Sequence, residues 1–392
     1  MTVLTVTVFY VTVFHVITNP FRYGGIVRDE DFCPRTRLEQ RLASLFRSGQ
    51  NVALIGPRRV GKSSLIHRAA LAVRGATLVY ADLWGINTSA DLVRRCVQAL
   101  DAIEDKTTLL TRIAQSLPGL SVTIGADPVT GLPTLTPTLE ARRQAAPESV
   151  AQIARLWGSL HATSGKLIVA LDEFQDLGSV EDADQVLGVL RREVQVLGRL
   201  PFCFCGSVRN EMWRVFGGDG GVFYKSAAML EVAADDFDDW RGFLRNRFDL
   251  GRLRIADDEL DMIMDLAGGN PGDTQQLCAA VWDVARGRSS RKVTAPLVTE
   301  GLLQVFADER KGYEQQVADV SGQQLAVLRT VAQLGGGSVQ SAEFLTRAGI
   351  THASSSKAAA TRLINRRILE ETPDGLRFSN PFFRAWLLHS GY

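Results

Sequence analysis

The sequence predicts an α/β protein. Its core is a parallel sheet flanked by helices, followed by a small helical segment and a C-terminal winged helix-turn-helix. Three observations predict this. A short apolar strand runs into Gly56-Pro-Arg-Arg-Val-Gly61-Lys62-Ser63-Ser64 and then into helical spacing. A second apolar run, Lys166-Leu-Ile-Val-Ala-Leu171, ends in Asp172-Glu173. Residues 321–392 carry three helical patterns and a hairpin pattern.

The chain has 392 residues, 45% hydrophobic and 22% charged, with a formal net charge of +1. That length suits two or three domains, and the apolar content excludes wholesale disorder. The near-neutral charge excludes a uniformly basic nucleic-acid coat protein and leaves room for a local basic face. The five cysteines form no CxxC pair and the five histidines are scattered, so neither a disulfide scaffold nor a zinc site is expected. A reducing, cytoplasmic compartment fits this usage.

The core elements follow in order. Leu38, Leu42, Leu45 and Phe46 give residues 36–50 a helical spacing. The strand at 51–55 then meets GxxxxGK[ST], the phosphate-binding pattern of P-loop NTPases, with strand before and helix after. Two glycines let the backbone wrap so that its N–H groups face phosphate oxygens. This makes Gly56, Pro57, Arg58, Arg59, Val60, Gly61, Lys62, Ser63 and Ser64 the candidate nucleotide-binding residues. Lys62 is placed to reach the β- and γ-phosphates of ATP, and Ser63 to offer its hydroxyl to Mg²⁺. The helix from Lys62 turns its positive end toward the anion. An apolar run such as 166–171 is expected of a strand buried on both faces. Asp172 at its end is the second candidate metal residue, and Glu173 the candidate base that polarises the attacking water. Residues 76–82 are a further strand. Pro201–Cys205 is another, with Ser207 after it as candidate γ-phosphate sensor and Arg209 as a lesser one. Cys203 and Cys205 share a strand face and are expected in the core.

Two stretches stand apart. Residues 1–18 carry no Asp, Glu, Lys or Arg and are rich in Val and Thr. They fit a strand or tail, a membrane-associating segment, or translation begun upstream of the natural start; otherwise no membrane partner is expected. Between Pro118 and Pro147, Ser121–Ile124 and Thr134–Thr136 flank a turn-like Asp127–Gly131, which predicts an inserted β-hairpin.

Residues 235–248 and 258–266 are helical by pattern. Gly268-Gly269-Asn270 is a helix stop and Pro271 suits the first turn of the next helix. A backbone turn at Asn270-Pro271 could touch a nucleotide and report its state, or be a plain inter-helix turn. From Ser321, Leu325, Leu328 and Val331 mark the first helix of a winged helix-turn-helix, and Ser341–Arg347 the second, with Ser341 as N-cap. Residues 354–367 are the candidate recognition helix, with Lys357, Thr361, Arg362, Asn365 and Arg366 as candidate DNA contacts. Residues 369–378 are the wing. Basic residues exceed acidic ones by four in this region, which suits phosphate contact, although such a module can equally pack against an ATPase core.

Over most of its length, from about Asn19 onward, the chain resembles the archaeal-type P-loop ATPases of the STAND class, relatives of AAA+ proteins. Asn19-Pro-Phe21 with Asp31-Phe32-Cys33-Pro34-Arg35 looks like the leading segment that lines the adenine side, which would make Phe32 and Arg35 nucleotide-binding. GPRRVGKSS and LIVALDEFQ look like the phosphate and magnesium motifs. Gly268-Gly-Asn-Pro-Gly272 looks like the motif of the small helical lid, and Asn380-Pro381-Phe-Phe-Arg384-Ala-Trp386 like the closing segment after a winged helix. The match has departures. Pro34 stands where Gly is usual. Tyr224-Lys225-Ser226 stands where tyrosine-glycine-arginine is common, so an arginine role passes to Lys225 or is lost. No arginine follows Pro271 within residues 272–276, where AAA+ motors and origin initiators usually carry one.

The expected organisation is an apolar segment at 1–18, an ATPase core at 19–233, a helical lid at 234–320 and the winged helix at 321–392. The leading expectation is an ATP-binding and slowly hydrolysing switch with ATP and Mg²⁺ as cofactors, its nucleotide state read by the winged helix or a protein partner. The alternatives are a DNA-acting AAA+ ATPase of initiator or transposition-loader type, assembling as a homo-oligomer on double-stranded DNA, and a nucleotide-regulated DNA-binding regulator. A non-catalytic factor with a degenerate site is disfavoured by the intact Lys62, Ser63, Asp172 and Glu173.

Overall fold

The computed structural model describes residues 18–103, 109, 120–126, 133–139, 147–164, 166–207, 209–218, 220–372 and 374–391. The described chain forms two compact units. One comprises Tyr23–Trp240 together with Gly269–Asp273; the other comprises residues 18–22, 241–268 and 274–391.

The first unit is built on five parallel strands: β1 (Val52–Ile55), β2 (Thr77–Asp82), β5 (Leu167–Asp172), β6 (Phe202–Gly206) and β7 (Ala228–Glu231), in the order β2-β5-β6-β1-β7. Period-two alternation divides each central strand between two cores. Ala53 and Ile55 of β1, Val169 and Leu171 of β5, and Phe202 and Phe204 of β6 face one cluster. That cluster is completed by α3 (Ser89–Gln98), α4 (Pro147–Ser164) and α5 (Ala183–Leu197). Val52 and Leu54, Ile168 and Ala170, and Cys203 and Cys205 face the other cluster, covered by α1 (Thr36–Arg47) and α2 (Lys62–Leu71). The two cysteines are thus core residues, as expected, and their thiols are pushed upward by burial. Helices on both faces explain why the strands read as continuous apolar runs. The inserted hairpin is present as β3 (Leu120–Ala126) paired antiparallel with β4 (Pro133–Leu139); its expected turn at Asp127–Gly131 lies outside the described residues, as do residues 1–17.

The second unit is helical apart from the wing. α7 (Trp240–Leu250), α8 (Asp257–Leu266), α9 (Pro271–Gly287) and α10 (Ala295–Ala318) precede α11 (Gly322–Leu334), α12 (Ala342–Ala348) and α13 (Ala353–Asn365). The wing β8 (Leu369–Thr372) and β9 (Gly375–Phe378) and a last helix α14 (Pro381–Ser390) close the chain; α6 (Arg209–Phe216) belongs to the first unit. Capping chemistry sets the helix starts: Ser321 and Gln324 form a capping box, and Ser341 accepts from Phe344 N. Tyr313 of α10 packs on Phe383 and Trp386 of α14 at 5.3 and 5.4 Å between ring centroids, tying the long helix to the C-terminal one. Asn19 donates through Nδ2 to Ala279 O at 3.0 Å, and Phe21 packs edge-on against Phe248, so the leading residues are fastened to α9 and α7. Among the described residues no helix is long and apolar enough to cross a membrane.

One helix starts later than the spacing predicts. α7 begins at Trp240, not Asp235. The acidic residues before it are engaged elsewhere: Asp236 accepts from Ala233 N at 2.5 Å, and Asp238 accepts from the backbone N and Oγ1 of Thr36, the first residue of α1. Side chains that serve as caps favour turns over helix interiors.

Candidate active site

The phosphate-binding pattern forms the link between β1 and α2. Its two glycines are required for different reasons. A Cβ on Gly56 would lie 2.4 Å from the carbonyl oxygen of Val232, whereas Gly61, the N-cap of α2, has φ 91° with nothing near its Cβ position. Arg59 also adopts positive φ. Lys62 is buried and its Nζ donates to the carbonyls of Gly56 and Pro57, each at 2.8 Å. Val60 is buried beneath the loop. Ser63 Oγ donates to Asp172 Oδ2 at 2.8 Å, which brings the two candidate metal residues together. Ser64 turns away and accepts the Val27 N–H at 3.1 Å, fastening the leading segment to α2.

Asp172 ends β5, and its Oδ1 accepts the N–H of Glu173 at 2.9 Å. Glu173 has φ 51°, a left-handed conformation costing about 1–2 kcal/mol for a residue with a Cβ. Phe174 offsets this. It is fully buried, 4.8 Å from Phe204 and 5.7 Å from Phe223 between centroids, and burial of such a ring contributes about 2–3 kcal/mol. The turn therefore holds the Glu173 carboxylate at the sheet edge. Ser207, just beyond β6, donates to Glu173 Oε2 at 2.7 Å, and Gln175 Nε2 donates to the same oxygen. Glu173 and Ser207 are thus adjacent. The side chain of Arg209 lies outside the described residues.

Two residues of this cluster escaped the sequence reading. Gln175 carries no motif signal beyond its place two residues after Glu173. Tyr80, on β2, donates its hydroxyl to Asp172 Oδ2. Burial and the charge of Asp172 push the phenol well up, so it stays a donor. Its ring lies 5.1 Å from that of His67, whose pKa is lowered by burial and by Arg28. The parallel register of β2 with β5 was the missing signal.

The leading segment behaves differently from the expectation for two residues. Phe32 is buried in the cluster under α1 and α2. Arg35 is 1% exposed, lies 3.7 Å from the centroid of Phe237, and donates through Nη2 to Val60 O at 2.7 Å. Burial lowers its pKa to about 10. Arg35 is directed at the loop backbone, so its connection to the site runs through Val60.

Residues 269–273 join the phosphate-loop unit through the loop itself. Asn270 Nδ2 donates to Arg58 O at 2.8 Å, and Gly272 N donates to Arg59 O at 3.1 Å. A Cβ on Gly272 would lie 2.9 Å from Arg59 O. Pro271 opens α9, as its fixed φ favours. Asp273, fully buried, forms an ion pair with Arg59 of the loop. Arg58 lies over the exposed ring of Trp84 at 4.0 Å. Lys225 Nζ sits 5.1 Å from the ring of Tyr224.

In the winged helix, Lys357, Thr361, Arg362 and Asn365 are exposed on α13. The Thr361 hydroxyl donates to Lys357 O at 3.0 Å. Arg366 is the C-cap of α13, which ends at Asn365, and its guanidinium binds the backbone carbonyl and the carboxylate of Asp319. The earlier end has a local cause. Arg367 adopts φ 59°, and the N–H groups of Arg367 and Ile368 close onto Ile364 O and Leu363 O, a left-handed helix terminus.

The residues present fit a nucleotide with Mg²⁺. The loop offers close backbone approach where a Cβ could not fit at Gly56, and Ser63 and Asp172 present paired hard oxygens. Among the described residues no cluster of three or more His, Cys, Asp or Glu is placed to hold a metal unaided. Mg²⁺ takes few protein ligands and completes its shell with phosphate and water.

Comparison with known proteins agrees with this geometry. A family model described as a probable winged helix domain matches residues 311–389. The search of curated proteins gave no match. Among solved structures, a Walker-type ATPase of Pyrococcus abyssi is similar at 19% identity and TM-score 0.64, covering 94% of this chain and 99% of that one. The Orc1 protein of Aeropyrum pernix, solved in complex with DNA, is similar at 15% identity and TM-score 0.51, covering 92% and 94%. With the parallel sheet and its phosphate loop, these likenesses give the chain the fold of a Walker-type P-loop ATPase, with a winged helix domain matched at its C-terminal end.

Proposed function

We propose that this protein is an ATP-binding and ATP-hydrolysing molecular switch. The observation that carries the reading is the joint placement of Ser63 on Asp172 and of Ser207 on Glu173 around one phosphate loop. In this reading Lys62 exchanges the Gly56 and Pro57 carbonyls for phosphate oxygens. Ser63 and Asp172 would hold Mg²⁺, which would supply neutralising charge to the phosphates. Glu173 accepts the proton of the attacking water as its oxygen bonds to the γ-phosphorus; the bond to the bridging oxygen breaks and ADP leaves. Ser207, already a donor to Glu173, would sense whether a γ-phosphate is present. Asn270 and Asp273, bonded to the loop, carry its state into α9.

The functional division follows the expected segments: nucleotide binding in 19–233, transmission through 234–320, and read-out by 321–392 or a protein partner, in the cytoplasm. The test is binding of a fluorescent ATP analogue to wild type and Lys62→Ala. Loss of tight binding in the variant supports the reading, and equal affinity overturns it.

A second reading, a DNA-acting ATPase, is favoured by one feature. The side chains of Lys357, Arg362 and Asn365 are exposed and make no hydrogen bond or ion pair among the described residues, and the Aeropyrum protein of similar fold was solved with DNA. If this face enters a major groove, affinity falls steeply with salt. Reversing Lys357 and Arg362 to Glu then removes filter retention of duplex DNA while ATP turnover persists. Salt-insensitive or undetectable retention, with and without ATP, leaves the face a packing or protein-binding surface.

A further inference from the structure

We propose that Tyr80 is a positioning residue for the metal-binding carboxylate of Asp172, an inference that rests on the nucleotide-site reading above. Three donors hold this carboxylate. Glu173 N binds Oδ1 at 2.9 Å, while Ser63 Oγ at 2.8 Å and the Tyr80 hydroxyl share Oδ2. Two of the three come from the nucleotide motifs themselves. Tyr80, the third, comes from another strand, β2, and the Cys205 thiol of β6 adds a weaker contact to the same carboxylate.

Its position follows from sheet geometry. Tyr80 pairs with Ala170 and Asp82 with Asp172 in the parallel register. Tyr80 therefore stands two residues short of the Asp172 rung and on the same face. Two residues of strand span roughly 6–7 Å, about the reach of a phenol from its backbone. A shorter serine or threonine would not bridge that gap. Packing fixes the ring, which lies against the α1–α2 side of the sheet and 5.1 Å from His67, itself on α2.

The arrangement has a consequence for metal binding. Ser63 gives its one hydroxyl hydrogen to Asp172 and keeps its oxygen lone pairs for Mg²⁺, so its bond to Asp172 persists when the metal is held. The Tyr80 bond need not change. Together with Ser63 it occupies both lone pairs of Oδ2 and holds the Asp172 rotamer, and it leaves the remaining lone pair of Oδ1 available to the metal or its waters. Outer hydrogen bonds of this kind typically tune metal affinity roughly 10–100-fold.

The test uses the full chain, Tyr80→Phe, and a fluorescent ATP analogue titrated at increasing Mg²⁺ and in EDTA. Phenylalanine keeps the ring and removes only the donor. The expected result is unchanged affinity in EDTA, with the Mg²⁺ concentration for half-maximal tight binding raised about tenfold. An unchanged Mg²⁺ midpoint overturns the proposal, as does an equal loss of affinity in EDTA, which would mark Tyr80 as packing alone. Asp172→Asn is the control that separates the two readings. If it leaves the Mg²⁺ midpoint at the wild-type value, the assignment of the metal to Asp172 fails and the Tyr80 proposal falls with it. If it shifts the midpoint and Tyr80→Phe does not, only the Tyr80 proposal falls.

Discussion

Replacing the two glycines of the phosphate loop by alanine tests whether the loop is built as described. The motif requires glycine at both positions, yet the structure assigns different physical reasons. At Gly56 the added Cβ would meet the Val232 carbonyl oxygen at 2.4 Å, about 1 Å inside ordinary contact. That oxygen is backbone one residue past β7, where the Val232 N–H is bonded to Ile55 O at 2.7 Å, and it cannot rotate away. Overpacking of this kind costs about 1–3 kcal/mol, and a rigid neighbour puts the cost at the upper end. At Gly61 the Cβ has open space, and the cost is torsional, about 1–2 kcal/mol at φ 91°. In both variants the unfolded chain loses entropy, which returns about 0.4–1 kcal/mol. The net expectation is about 2 kcal/mol lost for Gly56→Ala and about 0.5–1 kcal/mol for Gly61→Ala. For a unit of this size these correspond to falls in Tm of about 4–8 °C and about 1–4 °C. Thermal unfolding followed by circular dichroism reads both. The substituent series sharpens the test, because asparagine tolerates the left-handed region. Gly61→Asn should recover stability relative to Gly61→Ala, and Gly56→Asn should not recover relative to Gly56→Ala. A Gly56→Ala protein as stable as wild type would refute the steric argument. Equal Gly61→Asn and Gly61→Ala stabilities would refute the torsional one.

Three further outcomes are expected. Glu173→Gln should retain the fluorescent ATP analogue and lose turnover by roughly 10²-fold or more, because the amide cannot accept the water proton; wild-type turnover would place the base elsewhere. A double-mutant cycle of Arg59→Ala and Asp273→Ala should give a coupling energy of about 1–3 kcal/mol, discounted because Arg59 is 36% exposed, and a value near zero would mean the pair contributes nothing. The buried Cys33 thiol, pushed up to about 12, should resist iodoacetamide at pH 8.5 until urea unfolds the protein. Because its folded pKa is raised, the associated stability is fully present below about 9 and falls as pH rises from there toward about 12, where the unfolded chain ionises first.

Much of this protein is written in local sequence. The phosphate loop, the Asp172-Glu173 strand end, the wing and the capped helices at Ser321 and Ser341 depend on short-range rules: glycine at special torsions, apolar runs in buried strands, and hydroxyls at helix starts. Those rules act within a few residues, so the pattern shows them directly. What the sequence did not show depends on which distant backbones are neighbours. Tyr80 reaches Asp172 only because β2 and β5 pair in one particular register. Arg35 and Phe32 belong to the loop's support because α1 folds back under it. Asp238 starts α1 from 202 residues away, which is why α7 begins late. Arg366 is tied to Asp319, and Asp273 meets Arg59 across the chain. Each is a contact between side chains far apart in sequence, and only the packed sheet and helices determine their distances.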